Sequence, residues 1–275
     1  MSELRIFSYL PNPRIWKATI AARLCGIEVE VRGASLKELA SWLWDFDARP
    51  LANNEQVVSK DVQVGKVGFQ GTNLHKTSAF MDAHPFGAVP AAFSPDGKTG
   101  IFESNSIMRA VARLGESRFP LYGRDAYEAS RIDSFLDASL VFARDAQIYL
   151  LSLLNGTVST ETHARACDGF AVYAAGINQA LSPDREFLVG DNITIADICF
   201  VAELCLFFNE KKSTKEIEKK GLAPILHARV DTEFPHAFAH FARLRKHPAF
   251  APDVEPYLKK FEAVEQTGAE RSLTH

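Results

Sequence analysis

The sequence predicts an α/β plus all-α architecture, a mixed strand-and-helix domain followed by an all-helical one. Three observations carry that expectation. Residues 4–9 and 27–31 alternate apolar and polar side chains on either side of a helix-spaced segment, the pattern of a β-α-β unit. A second pair of short apolar runs flanks Ser94-Pro95-Asp96-Gly97, which supplies the proline, aspartate and glycine of a tight turn. Beyond Pro120 the apolar spacing is helical to the end of the chain.

Leu4-Arg5-Ile6-Phe7-Ser8-Tyr9 reads as the first strand and runs into Leu10-Pro11-Asn12-Pro13. There Asn12 fits a helix N-cap with Pro13 at the first helical position, Ile15, Ala18, Ala22 and Leu24 follow at helical spacing, and Gly26 fits the stop. Ile27-Glu28-Val29-Glu30-Val31 alternates as a second strand, which a right-handed crossover makes parallel to the first. Residues 36–46 read as a helix rich in aromatics, with Trp42, Trp44 and Phe46, and Asp61-Val62-Gln63-Val64 as a strand before the glycines at 65, 68 and 71. A helix over 78–82 is expected next. A strand at Val89-Pro90, the hairpin, a strand over 99–102 and a helix over 105–114, with Ser104 at its N-cap, complete the first half.

In the second half, Ile132, Phe135, Leu136, Leu140 and Val141 mark one helix, and Phe170, Val172, Tyr173 and Ile177 the next. Residues 187–197 turn sharply into an apolar helix running toward Phe208, with Thr194 and Asp197 at the spacing of a capping box. Asn209-Glu210-Lys211-Lys212 begins a charged connection expected to be solvated, and the last helices are placed at 235–246 and near 257–265.

Composition removes several classes of function. With 31 Lys plus Arg against 34 Asp plus Glu the net charge is -3, and no basic stripe is dense enough for nucleic acid. No apolar run approaches the roughly 20 residues that span a bilayer, so no membrane partner is expected. Met1-Ser2-Glu3-Leu4-Arg5 does not begin a secretion signal, which points to the cytoplasm. Cys25, Cys167, Cys199 and Cys205 show no metal-ligand spacing and are read as free thiols, mostly buried. The sequons at Asn155 and Asn192 matter only in a secreted chain and are taken as chance. Gly97-Lys98-Thr99 echoes a phosphate loop but has Ala92 where that motif needs glycine. His236 and His240 lie one turn apart without a metal-site glutamate beside them, so a solvated helix face is expected and no metal site.

The segment from Gly87 to Ile107 carries the most chemical information. A turn, a strand, a hairpin, a second strand and an abrupt helix start follow one another, and unpaired N–H groups at that helix start can seat a carboxylate.

On these residues the chain resembles the glutathione transferases. The resemblance is specific in Gly87-Ala88-Val89-Pro90-Ala91, in Glu103-Ser104 ahead of a helix, and in residues 187–197, which are similar to the "fLvGd.lTlAD" signature of the family's helical domain. It covers nearly all of the chain except about 36–75. It implies a thioredoxin-like glutathione-binding domain over 1–117 with an insertion at about 36–75, an all-helical substrate domain over 118–275, and a homodimer or a heterodimer with a related chain. The opening Tyr9-Leu10-Pro11-Asn12-Pro13-Arg14-Ile15-Trp16-Lys17 is also similar to the glutathione-transferase domain in the gamma subunit of translation elongation factor 1B. That second likeness keeps open a module for interaction and dimerisation without turnover.

The resemblance further implies glutathione as co-substrate, no metal, and a cis bond before Pro90 that turns the N–H and C=O of Val89 outward to the cysteinyl part of glutathione. Glu103 would meet the γ-glutamyl ammonium, and Ser104 with the following N–H groups the γ-glutamyl carboxylate. Lys76, with His75, would reach the glycyl carboxylate from the second helix. Each also has a plain reading, as a strand-entry proline, a surface acid, an N-cap and a solvated lysine.

Catalysis needs a thiolate, and a thiol of pKa near 8.5 is only about 3 percent ionised at pH 7. Lowering that pKa by about two units takes roughly 2.7 kcal/mol, within reach of one or two charge-assisted hydrogen bonds and a helix N-terminus. The family's pattern of an activating residue that precedes proline and stands five before Lys or Arg falls on Asn12, with Pro13 and Lys17. Asparagine can donate N–H to sulfur but cannot form a mixed disulfide, which favours conjugation or ether cleavage; the alternative is that Asn12 only caps the first helix. Arg14 would add positive charge near sulfur, and Ser8 and Tyr9 are further candidates. A second substrate is expected between the domains, near Tyr9 and a helix over 133–149 carrying Phe135, Leu140, Phe142 and Arg144. An apolar aromatic electrophile such as an aryl ether suits it, and the 36–75 insertion would cover that cleft or extend a dimer contact.

Overall fold

The computed structural model describes residues 2–52, 55 and 74–272, with side chains to 261. It divides into two compact units, Met1–Tyr122 and Gly123–His275.

In the first unit, β1 (Leu4–Tyr9) leads through α1 (Pro13–Cys25) to β2 (Val29–Ala34), which pairs parallel with β1 in the register Ile6↔Val31. Local chemistry sets the ends of α1. The Asn12 side chain accepts the Arg14 N–H, Pro13 sits at the first helical position, and Gly26 takes the left-handed stop at φ 64°. The chain then makes a second, smaller sheet in the order β4-β3-β5, from β3 (Trp42–Trp44), β4 (Arg49–Pro50) and β5 (His75–Lys76). After α2 (Ser78–Ala83), β6 (Ala91–Phe93) and β7 (Gly100–Phe102) complete the first sheet in the order β2-β1-β6-β7, and α3 (Ser104–Leu114) packs against α1. The turn between β6 and β7 is the tight one expected: Asp96 accepts the Lys98 N–H at 3.1 Å and Gly97 takes φ 72°.

The aromatic segment 36–46 is not a helix. A 3-10 turn over Glu38–Ser41 gives way to β3, because Trp42, Trp44 and Phe46 repeat every second residue, the period of a strand. Trp44 is fully buried, donates its indole N–H to the Leu39 carbonyl at 3.0 Å, and meets Phe7 and Phe80 edge-on. With Leu39, Phe93 and Ala91 these rings form one apolar cluster on β1. The described part of the insertion is thus core of its own unit. The strand expected at Asp61–Val64 and the glycines at 65, 68 and 71 lie outside the described residues.

The second unit is helical in all its described elements: α4 (Ala126–Leu154), α5 (Thr160–Leu181), α6 (Ile195–Phe207), α7 (Thr214–Lys219), α8 (Val230–Glu233), α9 (Pro235–Leu244) and α10 (Ala251–Ser272). Helix α6 is buried along nearly its whole length, against Phe142 and Phe170. The expected Thr194–Asp197 capping box is present, and Asp197 does more than cap. It accepts the Thr194 N–H at 2.8 Å, the Leu188 N–H at 3.0 Å and His240 Nε2 at 2.9 Å. His240 therefore is not on a solvated face: it is buried, and with Arg243 donating to its Nδ1 the ring proton sits on Nε2, toward the aspartate. Glu210 is likewise buried rather than solvated, because it accepts the Tyr149 hydroxyl and the N–H groups of Ile225 and Leu226. Of the apolar residues that mark these helices, Leu140, Val141 and Val172 are exposed, while Phe142 is buried. Among the described residues no helix is long and apolar enough to cross a membrane.

His84, at the end of α2, is stacked between Phe80 and Phe102, with Nδ1 buried and unbonded among the described residues. Burial holds its pKa down at about 4, against an ordinary 6.5. The unfolded chain takes up this proton below pH 6.5 and the folded chain only near 4, so stability is full above pH 6.5 and falls as pH drops toward 4, by roughly 3 kcal/mol. Replacing His84 by Phe should flatten that acid limb in denaturant titrations at pH 7 and 4.5; an unchanged loss would contradict the assignment.

Candidate functional site

Three segments of the first unit carry the candidate site residues. The first is the start of α3. Strand β7 ends at Phe102, and Glu103 then adopts φ 66° and ψ 124°, the one left-handed non-glycine among the described residues. Glu103, not Ser104, is the capping residue; its side chain makes no cap bond and stays exposed, while Ser104 becomes the first helical residue, 7% exposed. Helix geometry leaves the leading N–H groups of α3 without intrahelical acceptors, and the helix dipole favours negative charge there. Beneath them lies a buried cation. Lys17 on α1, 1% exposed, donates from Nζ to Asn105 Oδ1 at 2.7 Å and Ser104 Oγ at 3.3 Å.

The second segment is the loop before β6. Gly87 turns it with φ 60°, and the Val89–Pro90 bond is cis. Because the antiparallel ladder of β6 and β7 ends at Ala91↔Phe102, the cis pair just before β6 and Glu103 just after β7 leave the sheet at the same end. Lys76 borders the same loop: a Cβ added to Gly87 would come within 3.0 Å of its Nζ. Lys76 and His75 are on strand β5 rather than on the second helix, since Thr77 caps α2 one residue later. Lys76 is 2% exposed, with its ammonium 5.2 Å from the Trp44 ring centre, and burial lowers its pKa.

The third segment is the loop between β1 and α1. The Leu10–Pro11 bond is also cis. Asn12 is 1% exposed and committed at both ends of its amide: Oδ1 accepts the Arg14 N–H at 3.0 Å and Nδ2 donates to Ser8 Oγ at 3.1 Å. Ser8 is fully buried; Tyr9 and Arg14 are half-buried. The capping role left open for Asn12 is therefore realised, and its amide braces Ser8 as well.

Of the second-substrate candidates, Leu140 (44% exposed) and Arg144 lie one turn apart on α4 of the other unit, Arg144 donating to Asp145 at 3.2 Å. Phe142 stacks on Tyr173 and belongs to the core. All four cysteines are free, and burial pushes the Cys25, Cys167 and Cys205 thiols up, away from nucleophilic use.

No family model matches the chain. It is 26% identical over 241 residues to elongation factor 1-gamma 1 of Oryza sativa subsp. japonica, a match covering 87% of this chain and 45% of that protein. It is 27% identical over 208 residues to the glutathione S-transferase-like protein LUC7 of Fusarium sp, covering 74% of this chain and 77% of that one. The chain thus spans less than half of the elongation-factor relative. The solved structure of glutathione transferase URE2P8 from Phanerochaete chrysosporium with oxidized glutathione superposes with a TM-score of 0.62 at 16% identity, over 95% of this chain and 98% of that one. The chain has the glutathione-transferase fold.

Within that fold, the thioredoxin-like unit holds the cis proline, the α3 mouth and the α1 loop together. Lys17 was visible in the sequence only as the basic residue five after Asn12; its burial depends on the packing of α1 on α3, which local spacing does not encode. The left-handed Glu103 generates a prediction. Glu103→Gly should raise unfolding stability by about 1 kcal/mol, since glycine adopts that backbone without penalty. Thermal and urea melts check it, and a destabilised variant would show that the carboxylate itself holds the turn.

Proposed function

We propose that this protein is a glutathione-dependent transferase whose glutathione site lies wholly in the first unit. The observation that carries the reading is the register Ala91↔Phe102, which sets the cis Val89–Pro90 pair at the same end of the sheet as Glu103 and the mouth of α3. In this reading the extended tripeptide pairs its cysteinyl backbone with the N–H and C=O of Val89. Its γ-glutamyl carboxylate sits on Ser104 and the leading N–H groups of α3, and its ammonium meets Glu103. Lys76 takes the glycyl carboxylate, a pairing that would restore the pKa which burial lowers.

Sulfur then lies toward the loop after β1. The Asn12 amide carries two N–H groups, of which one goes to Ser8, and Arg14 adds charge in the first turn of α1; these are the thiolate-stabilising groups we assign. The acceptor is an apolar aromatic electrophile, with Tyr9 at the end of β1 as the contact that the first unit supplies and aryl-ether cleavage of the β-etherase type as one candidate reaction. Four free thiols suit a cytoplasmic protein. Exposed Leu140, Val141 and Ile148 on α4 would give a dimer, of like or related chains, an apolar face.

The likeness to elongation factor 1-gamma 1 over 87% of the chain favours a second reading, a glutathione-transferase-like interaction module without turnover. Calorimetric titration separates the two. The enzyme reading expects glutathione binding that Ser104→Ala and Glu103→Ala each weaken by roughly tenfold, the scale of one charge-assisted contact. Absence of binding by the unaltered protein supports the module. For the thiolate, Asn12→Ala assayed on aryl halides, aryl ethers and peroxides should lower kcat with little change in glutathione affinity; full activity would exclude Asn12 from that role.

A further inference from the structure

We propose that Lys17 is a positioning residue that gives the seat at the mouth of α3 its preference for a carboxylate, acting from inside the protein. The inference rests on the glutathione reading above and adds to it the source of that preference. Lys17 is almost completely buried on α1, so its ammonium does not touch a ligand arriving from solvent. It reaches instead the first two residues of α3, at 3.3 Å from Ser104 Oγ and 2.7 Å from Asn105 Oδ1.

The chemistry of these groups fixes a direction. An ammonium only donates, so toward Lys17 the serine oxygen must accept, and its own O–H is left to point elsewhere and donate to an incoming anion. Asn105 is oriented in the same way, its carbonyl oxygen drawn inward. A whole positive charge under the leading turn also adds to the partial charge of the helix dipole, in a place screened from water, where it counts for more than at the surface. A neutral ligand at the same seat would gain little from either effect.

The test uses two ligands, glutathione and its analogue in which the γ-glutamyl α-carboxylate is a neutral amide, titrated into the full chain. The unaltered protein should bind glutathione at least about tenfold more tightly than the amide. Lys17→Met should lose roughly that factor for glutathione, keep its affinity for the amide, and so bind both alike, while Lys17→Arg restores much of the preference. A merely structural role would weaken both ligands together. If Lys17→Met does not fold, as judged by its melt, Lys17→Gln retains N–H donors for Ser104 and Asn105 without the charge and is read in the same way. A folded variant that keeps the full preference overturns the inference alone. Binding of neither ligand by the unaltered protein overturns the glutathione reading and this inference with it.

Discussion

The pairing of β6 with β7 fixes two of the three parts of the candidate site relative to each other. In the register Ala91↔Phe102, residues just before β6 and residues just after β7 leave the sheet at the same end, and these are the cis Val89–Pro90 pair and the Glu103–Ser104 entry to α3. A slip of one residue would turn alternate side chains to the other face and carry Glu103 away from the loop. Two devices hold the register. The hairpin turn locks one end, through Asp96 and the left-handed Gly97, and pairing of β6 with β1 in the register Ile6↔Ala92 locks the strand from its other edge.

Helix α1 serves two ends of the same site. Its first turn, capped by Asn12, carries the loop with Ser8 and Arg14, and its second turn carries Lys17 under α3. A buried ammonium costs free energy unless hydrogen bonds replace its hydration, which is what Ser104 and Asn105 supply here. Apolar replacements of buried charges are often neutral or stabilising, so fold stability alone is a poor reason to retain a lysine at that position.

Much of this was legible in the sequence, and the exceptions have common causes. The β-α-β start, the hairpin, the Thr194–Asp197 box and the helical second half follow from local signals: caps, turn residues and periodicity that neighbours a few positions apart decide. Three aromatics in five residues fit an apolar helix face as well as a strand, and only the spacing of two from Trp42 to Phe46 discriminates between them. His240, Glu210 and Lys17 look like surface residues in the sequence, since a charged side chain is exposed by default; their burial comes with partners 43, 61 and 87 residues away. Lys76 lies on a strand and not on the second helix, a difference that a strand of only two residues leaves invisible in the sequence. For Asn12 the sequence left capping and sulfur activation open, and the geometry realises the cap while leaving one amide N–H beyond the bond to Ser8.

A crystal structure of the protein soaked with glutathione tests the central claim most directly. The expected result is the tripeptide extended along Val89, with its γ-glutamyl carboxylate on Ser104 and the leading N–H groups of α3. Glutathione bound at another place, or that mouth closed by the protein's own side chains while Val89–Pro90 stays cis, would contradict it.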